Sequence, residues 1–378
     1  MTREPRVIGA ADLDALFAAL TDQGYTVIGP TVRDGAIHYD ELSSPAELPR
    51  GWGDEQGPGS YKLRQLDQDL CFGYTLSPQS WKRFLHPPAV KLFTATRSNG
   101  GFDVKAGDHA QEKYAFIGVR ACELRAIGVQ DRVLLNADHP DPHYAVRREG
   151  AFIVAVNCGQ AGNNCFCTSV NTGPRVGEGY DLALTEVLSA RKHYFVIEAG
   201  SDRGQEIIKD LETSEAGDAA LKAAAKTVRQ AEEQMVKHLD TEELPELLLD
   251  NQDHPQWEEV AHRCLSCGNC TMVCPTCFCT AVEDVTELGT DNAERWRKWD
   301  SCFNSGFSYI HGGSVRNAVS SRYRQWITHK LASWHQQFGE SGCVGCGRCV
   351  TWCPVGIDIT EEAAAIRASA AKREASEP

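Results

Sequence analysis

Short apolar runs alternate with helical patterns through the first part of the chain. Residues 11–20 carry apolar side chains at helical spacing, and a strand is predicted to follow at residues 25–28. Asp34-Gly35 lies between two apolar stretches and predicts a hairpin turn. A loop rich in glycine and proline then precedes another predicted strand at residues 61–66. This alternation predicts an α/β fold for the N-terminal part of the chain.

Two later segments share one layout, an apolar run that is followed by cysteine. Residues 113–119 precede Cys122, and residues 151–157 precede a group of three, namely Cys158, Cys165 and Cys167. Apolar runs of this length, bounded by turn residues, are typical of buried strands in an α/β sheet. Ligands of such sheets lie beyond the carboxyl ends of the strands, so we expect both cysteine groups at that edge.

One cysteine pattern occurs twice near the C-terminus. Each copy has the form C-x2-C-x2-C-x3-C-P, which is the 4Fe-4S run of bacterial ferredoxins. Three thiolates converge on one cluster, whereas the fourth ligates the other cluster of the pair. The expected ligand sets are Cys264, Cys267, Cys270 with Cys353, and Cys343, Cys346, Cys349 with Cys274. Paired structural zinc sites are the alternative, but zinc explains neither the triple spacing nor the x3-C-P that follows it.

The predicted organisation follows from these patterns. Strands are predicted at residues 180–184 and 194–197, and the segment after them has helical spacing. The Ala- and Glu-rich end of the chain shows no evident core face. We expect an α/β domain, a helical spacer, a mainly α dicluster ferredoxin-like domain with a long insertion, and a tail, at residues 1–200, 201–262, 263–360 with the insert 275–342, and 361–378.

The strand-end cysteines allow two interpretations. If their strands are neighbours, four thiolates meet and suffice for a third 4Fe-4S cluster. Alternatively, Cys122 and Cys158 pack as small core side chains, while the glycine-rich loop merely turns the chain. A disulfide between Cys165 and Cys167 is disfavoured because a single intervening residue strains the bond. The solitary Cys71 is expected to be a small buried side chain.

The insertion contains three more cysteines, which are Cys277, Cys279 and Cys302. Two of them follow the first run so closely that they must lie near a cluster. They could bind a further metal centre together with His311 or Asp300, or could tune the potential of a neighbouring cluster. The insertion also contains a basic stretch from Arg316 to Lys330, for which we expect a solvated helix face, with charge compensation of a cluster or subunit docking as the alternative.

Composition narrows the class of protein. The chain has 378 residues and a formal net charge of −14, which disfavours nucleic acid and anionic membrane as partners. We find no membrane-spanning run and no apolar signal region, and therefore expect a soluble, cytoplasmic protein. In that compartment its sixteen cysteines are expected to be metal ligands rather than disulfides. No dinucleotide or nucleoside triphosphate motif is present, and we expect no catalytic residue.

With these motifs in place, the chain resembles the iron–sulfur β subunits of cytosolic, NAD(P)-linked NiFe-hydrogenases, also called sulfhydrogenases. The family includes the A subunit of anaerobic sulfite reductase. The matching stretches are residues 118–127, 165–169, 274–279, 299–302 and 343–359. Since they extend over most of the chain, they are more specific than the ferredoxin runs alone.

The resemblance implies a place in an electron-transfer complex. A flavin subunit exchanges electrons with NAD(P)H, this chain relays them, and the small subunit delivers them to the NiFe site of the large subunit. FAD is then bound by the partner subunit rather than by this chain. In an anaerobic sulfite reductase, similar clusters would serve a siroheme partner. Two other hypotheses are a self-contained, flavin-containing iron–sulfur reductase and a scaffold with structural metal.

Overall fold

The computed structural model of the protein describes residues 4–75, 77–107, 112–190 and 192–374. Its strands are β1 (Arg6–Gly9), β2 (Thr26–Arg33), β3 (Ala36–Glu41), β4 (Trp52–Gly57), β5 (Ser60–Gln65), β6 (Ala89–Ser98), β7 (Gly101–Ala106), β8 (Tyr114–Arg120), β9 (Phe152–Val156), β10 (Leu182–Leu188), β11 (His193–Ala199), β12 (Ser214–Glu215), β13 (Thr280–Thr286), β14 (Asn292–Trp299), β15 (Tyr309–Ile310) and β16 (Gly313–Ser314). Its helices are α1 (Leu13–Asp22), α2 (Lys82–Leu85), α3 (Ala121–Leu134), α4 (Pro142–Gly150), α5 (Asp202–Lys209), α6 (Asp218–Glu233), α7 (Leu244–Asp250), α8 (Gln256–Arg263), α9 (Asn269–Met272), α10 (Val319–Thr328), α11 (Trp334–Phe338), α12 (Arg348–Thr351) and α13 (Ile359–Glu374). A π-helical turn, His329–Ser333, joins α10 to α11.

A mixed sheet forms the centre of the N-terminal half. Its strand order is β12-β1-β11-β10-β9-β8-β2-β3. The inner strands β2, β8, β9 and β10 run parallel, and β2 and β3 form the predicted hairpin. Asp34 and Gly35 both have positive φ at its turn, as a two-residue hairpin loop requires. The α/β prediction for this half is confirmed.

Both faces of this sheet are covered by helices. Residues of β9 alternate between two cores, so that Phe152 and Val154 pack with α1 and α5, while Ile153 and Ala155 pack with α3 and α4. Burial on both faces explains why β8 and β9 are nearly continuous apolar runs in the sequence. The two strands are paired neighbours, which is the condition set above for the strand-end cysteines.

A second, antiparallel sheet joins distant parts of the chain. Its strand order is β13-β14-β6-β7, so that the N-terminal half and the insertion contribute two strands each. The sequence analysis assigned no strands to either region. The reason is visible in β7 and β13, which are largely exposed and carry polar and apolar side chains without a buried face that would impose strict alternation.

The C-terminal half is built around helices. Its core contains Trp257 of α8, Tyr323 and Trp326 of α10, Leu331 of the π-helical turn and Ile366 of α13. The tail was expected to lack a core face, but α13 buries Ala363 and Ile366 against the other helices, because these two side chains, three positions apart, share one face. Residues 375–378 of the predicted tail lie outside the described residues. Within the described residues, no helix is long and apolar enough to span a membrane.

Candidate metal centres

The two ferredoxin runs adopt the same local backbone. Ser266 and Gly345 occupy equivalent motif positions with φ of 52° and 62°, and Gly268 and Gly347 do so with 72° and 73°. These left-handed residues wrap each loop around its own cysteines, and a short helix, α9 or α12, follows Gly268 or Gly347. The repeat seen in the sequence is therefore also a repeat of conformation.

The first run forms a cavity at the surface. This surface cavity has a volume of about 30 Å³, and its thiols come from Cys264, Cys267, Cys270, Cys349 and Cys353. Cys267 is exposed, and Leu265 at the rim is 63% exposed. Cys353 belongs to the second run, and it lies where the crossed ligand pattern predicts.

Two polar groups show that the surface cavity fits a cluster. Tyr323 Oη and Trp326 Nε1 are buried in its wall and have no hydrogen-bond partner among the described residues. Both are donors, and an unpaired buried donor costs free energy unless an acceptor is supplied. The backbone amides of Ser266 and Ile357 also donate to the thiols of Cys264 and Cys353, over 3.4 and 3.3 Å. Bridging sulfides would be suitable acceptors for the two unpaired donors.

The second run and Cys274 form a central thiol group, which consists of Cys274, Cys343, Cys346 and Cys349. Burial raises the pKa of Cys349 well above its ordinary value, and the charges of Cys343, Cys346 and Cys274 raise it further. Burial also raises the pKa of Cys343 to about 12. Thiols so buried lose their protons when a metal binds them. These four cysteines are the second ligand set of the crossed pattern, and they lie near enough to one another for their charges to interact.

Two buried lysines lie beside the central thiol group. Lys330 Nζ is 3.2 Å from Cys274 Sγ and donates to Thr276 Oγ1 over 2.9 Å. Lys82 Nζ donates to the carbonyl oxygen of Cys274 over 3.0 Å and lies 4.0 Å from the ring centre of Trp299. Burial opposes the charge on Lys330, but the thiolates of Cys274 and Cys277 outweigh it and hold its pKa well above the ordinary value.

The burial of Lys330 corrects one expectation. The basic stretch was predicted to be a solvated helix face, yet Lys330 is only 5% exposed and Tyr323 is 2% exposed. Lys330 follows Tyr323 by seven positions and Trp326 by four, so it lies on the same buried face of the helix, and the π-helical turn begins one residue before it. Charge compensation, one of the alternatives, accounts for this side chain better.

The strand-end cysteines converge on one cavity. This strand-end cavity has a volume of about 20 Å³ and is lined by Cys122, Cys158, Cys165, Cys167 and, from the second run, Cys346. Burial raises the pKa of Cys122 and Cys158, and it raises that of Cys165 to about 12. Met235 lies opposite, with its Sδ 3.8 Å from Cys167 Sγ. The two groups that the sequence placed at the sheet edge therefore meet.

Arg120 supplies positive charge to the strand-end cavity. It is the last residue of β8, is 2% exposed and lines the cavity. Its Nη2 donates to the carbonyl oxygens of Phe72 and Tyr74 over 2.9 and 2.8 Å, and its Nε has no partner in the described part of the chain. The Cys158 thiolate helps to raise the pKa of this guanidinium despite its burial. A buried cation with a free donor fits a cavity that binds an anionic cluster.

The strand-end cavity is closed by the second ferredoxin loop. Gly345 lies so close that a Cβ there would stand 2.6 Å from Cys167 Cα, which explains glycine where the first run has serine. The amide of Phe166 donates to Gly345 O over 2.8 Å, and Thr172 Oγ1 donates to Val344 O over 2.7 Å. The two halves of the chain thus meet at the thiols.

A buried ion pair links the same two halves. Arg348, inside the second run, pairs with Glu123 of α3, and both side chains are 1% exposed. Glu123 also accepts hydrogen bonds from Tyr39 Oη and Trp81 Nε1, each over 3.1 Å. The sequence analysis did not single out Glu123, Arg348 or Arg120. Their positions within or next to the cysteine motifs were the only indication available.

The insertion forms a third cavity. This insert cavity has a volume of about 210 Å³, and its wall includes Cys277, Cys279, Cys302, His329 and Lys330. A hydrogen bond from the Cys302 thiol lowers the pKa of Cys279 to about 7. Neither additional ligand considered above lines this cavity.

Other contacts account for those two side chains. Asp300 Oδ1 accepts from the amide of Ser301 and from Asn304 Nδ2, over 2.7 and 3.1 Å. His311 is exposed in the turn between β15 and β16. Local hydrogen bonds therefore engage the Asp300 carboxylate, although its charge still reaches Cys279, and His311 faces solvent.

The spacing of the thiols argues against single zinc ions. Zn–S bonds of about 2.3 Å place tetrahedral ligands roughly 3.8 Å apart. Across the described ranges, however, the one group of three potential ligand atoms within 4.8 Å of one another is Cys71, Glu186 and His193. The cysteines of the three cavities therefore form no ready three-ligand zinc site in the described part of the chain. In that exceptional group, Glu186 already accepts from two backbone amides and lies 2.7 Å from His193 Nε2.

Comparisons with known proteins agree with this geometry. Residues 263–357 match the family model described as a 4Fe-4S dicluster domain. The chain is 30% identical over 321 residues to sulfhydrogenase 2 subunit beta of Pyrococcus furiosus, and the match covers 82% of this chain and 90% of that relative. No solved structure matches the chain significantly. The match to the relative extends well beyond the dicluster domain and therefore includes much of the N-terminal half.

Proposed function

The chain belongs to the family of the sulfhydrogenase β subunits, and from this premise we propose that it relays electrons within a cytoplasmic NiFe-hydrogenase. The chain has an iron–sulfur electron-transfer role, and its dicluster domain indicates two 4Fe-4S clusters. When bound, such clusters supply one-electron transfer at potentials set by charge, hydrogen bonds and exposure. The proposed partners are an NAD(P)H-oxidising flavin subunit, which binds the FAD, and the hydrogenase small and large subunits.

The observation that supports this proposal is the continuity of thiols from the surface to the interior. Cys267 is exposed in the surface cavity, and Cys349 of the central thiol group lines that same cavity. Cys346 of the central group lines the strand-end cavity. Neighbouring sites therefore share wall residues, so that no large protein layer separates one from the next.

Each group of residues has a defined part in the proposal. The eight cysteines of the ferredoxin runs bind the two clusters of the dicluster domain, with Cys353 and Cys274 exchanged between the runs. The strand-end cavity binds a third cluster through Cys122, Cys158, Cys165 and Cys167, and Arg120 offsets its negative charge. The thiols of the insertion, Cys277, Cys279 and Cys302, bind a further metal centre.

The first experiment identifies the complex. The chain is given a tag without histidine, purified from its own host without oxygen together with its partners, and assayed for nickel, siroheme and flavin. Nickel and FAD in the complex are expected. Siroheme without nickel would instead indicate a sulfite reductase, and flavin that stays with the isolated chain would indicate a self-contained flavin enzyme.

The second experiment counts clusters on the separated chain. Iron and acid-labile sulfide are expected at about twelve or more per chain, and Cys158→Ala is expected to remove about four. Cys71→Ala is the matched control, because Cys71 is buried but lines none of the three cavities. An iron content that Cys158→Ala leaves unchanged would remove the strand-end cluster from the proposal.

A further inference from the structure

The insert cavity differs from the other two cysteine cavities in size. Its volume is about 210 Å³, compared with about 30 Å³ for the surface cavity and about 20 Å³ for the strand-end cavity. Protein interiors are close-packed and contain few voids larger than a water molecule. A space of this size, with three thiols in its wall, indicates that a bound group fills it.

The three thiols of the cavity do not form a ready site for a single ion. Cys279 and Cys302 share a hydrogen bond, but Cys277, Cys279 and Cys302 do not all lie within 4.8 Å of one another, so a single tetrahedral ion would reach all three only after a rearrangement. Cys277 and Cys279 flank Phe278 in the chain, and Cys302 follows β14 on the other side of the hairpin. Three thiolates leave a 4Fe-4S cluster in need of a fourth ligand.

Most polar side chains in the wall are already engaged. Gln325 Oε1 accepts from Arg316 Nη2 over 2.9 Å. Lys330 Nζ donates to Thr276 Oγ1 and to the thiol of Cys274, so the polar groups of both Lys330 and Thr276 already have partners. None of these four residues offers an unused ligand atom to the cavity.

His329 is the remaining candidate for the fourth ligand. It lies in the wall of the cavity and packs against the rings of Phe278 and Trp334, which also contact each other. Within the described ranges, neither of its ring nitrogens has a hydrogen-bond partner. It also begins the π-helical turn, a rare local geometry that is frequent at functional sites. Imidazole is an established ligand of iron–sulfur clusters.

The charges around the cavity suit an anionic group. Lys330 and Arg316 line it, and the buried Lys82 lies close enough to Cys277 and Cys279 to be influenced by their charges. Cations would stabilise a cluster with three thiolate ligands and one neutral ligand.

We propose that Cys277, Cys279, Cys302 and His329 bind a 4Fe-4S cluster whose fourth ligand is the histidine. This inference rests on the proposed electron-transfer function and extends it. The site lies beside the central thiol group, because Lys330 lines the insert cavity and its Nζ is 3.2 Å from Cys274 Sγ. The central group therefore has three neighbours, and the insert cluster forms a branch from the line that connects the surface to the strand-end cavity.

The test uses the full chain, purified without oxygen and without a histidine tag, and pulsed EPR of the reduced protein. Direct ligation by His329 predicts a strong nitrogen coupling, which changes from the ¹⁴N to the ¹⁵N pattern when only histidine is ¹⁵N-labelled. In His329→Cys the coupling is expected to disappear while the iron content stays unchanged, since thiolate replaces imidazole. His329→Ala is expected to lose up to about four irons.

His335→Ala is the matched control, because this histidine lies on the adjoining helix α11 and does not line the cavity. It should keep both the iron content and the nitrogen coupling. Absence of a histidine coupling in the unmodified protein, or its persistence in His329→Cys, would overturn the proposal. If only the ligation by His329 is wrong, the EPR signals of the dicluster domain are still present. If the proposed electron-transfer function itself is wrong, those signals are missing as well.

Discussion

The surface cavity and the strand-end cavity both gather cysteines, but the chain assembles them by different means. The surface cavity takes three thiols from one short loop and adds Cys353 from a repeat of that loop. The strand-end cavity takes its thiols from the ends of β8 and β9 and from the loop after β9. The conformation of one loop places the main thiols of the surface cavity, whereas the pairing of β8 with β9 brings together those of the strand-end cavity.

The two cavities also differ in their surroundings. At the surface cavity Cys267 is exposed, and unpaired neutral donors line the wall. At the strand-end cavity the buried cation Arg120 is part of the wall, and the ion pair of Arg348 and Glu123 closes the junction between the halves. An exposed site is suited to exchange electrons with another protein, whereas a buried and charge-compensated site depends on the two halves staying together.

The largest expected effect tests whether the cluster of the surface cavity takes a ligand from the other ferredoxin run. Cys353→Ala should remove about four irons and the EPR signal of the surface cluster, although residue 353 lies in the other run. The cluster of the central thiol group should persist, because its predicted ligands remain. Cys71→Ala should keep all iron and both signals. Loss of the central cluster alone would contradict the crossed ligand pattern.

The next effect concerns the junction at the strand-end cavity. Arg348→Met leaves Glu123 buried without its cation and should destabilise the protein by roughly 3–5 kcal/mol. Guanidinium unfolding followed by circular dichroism without oxygen measures this change. The double variant Glu123→Gln with Arg348→Met should recover part of the stability, since the uncompensated charge is gone.

A control for this prediction is available on the second sheet. Arg295→Met breaks an exposed ion pair with Asp284 and should leave the unfolding midpoint almost unchanged. Equal loss of stability in Arg295→Met and Arg348→Met would show that the buried pair has no special part in joining the halves.

A smaller effect tests charge compensation at the central thiol group, which lies between the two cavities. Lys330→Met removes a unit charge beside Cys274 and should lower the reduction potential of the central cluster by on the order of 100 mV, for an effective dielectric constant of about 20. A redox titration monitored by EPR measures the shift. Lys222→Met, on the exposed side of α6, should leave the potential unchanged. An unchanged potential in Lys330→Met would reject the role assigned to this lysine.

The smallest effect tests the neutral donors of the surface cavity. Tyr323→Phe removes one hydroxyl group, and a hydrogen bond of about 1 kcal/mol corresponds to roughly 40 mV for a one-electron couple. The potential of the surface cluster should fall by about that amount, while the other potentials stay constant. Tyr309→Phe, at an exposed position, serves as the control. A constant surface potential would mean that Tyr323 does not donate to the cluster.

The sequence predicts most where the pattern is local. The ferredoxin runs carry their geometry in cysteine spacing and in residues such as Gly268 and Gly347, so their loops follow from sequence. The meeting of Cys122 with Cys158 was also predictable, because ligands of parallel sheets gather at strand ends and β8 and β9 are recognisable as buried strands.

The sequence predicts less where the conformation depends on packing between segments that are distant in the chain. A lysine is rarely buried, so Lys330 is predicted on a solvated helix face, yet it shares the buried face of Tyr323 and Trp326 and contacts the thiol of Cys274, which is distant in the chain. The ion pair of Glu123 and Arg348 joins residues that are 225 positions apart. The strands β7 and β13 are largely exposed and carry mixed side chains, and the pairing of β6 with β14 joins two hairpins that are remote in the chain, so periodicity does not predict this sheet.

The second sheet has a consequence for the order of events during synthesis. Lys91 of β6 pairs with Glu294 of β14, 203 residues later in the chain. At translation rates of about 5–20 residues per second, roughly 10 to 40 seconds pass between the synthesis of β6 and the synthesis of β14. During that time Phe102 and Val104, which stay 68% and 63% exposed even in the folded chain, lie beside an unpaired strand edge. A nascent chain of this kind needs protection from association with its neighbours until the insertion has been synthesised.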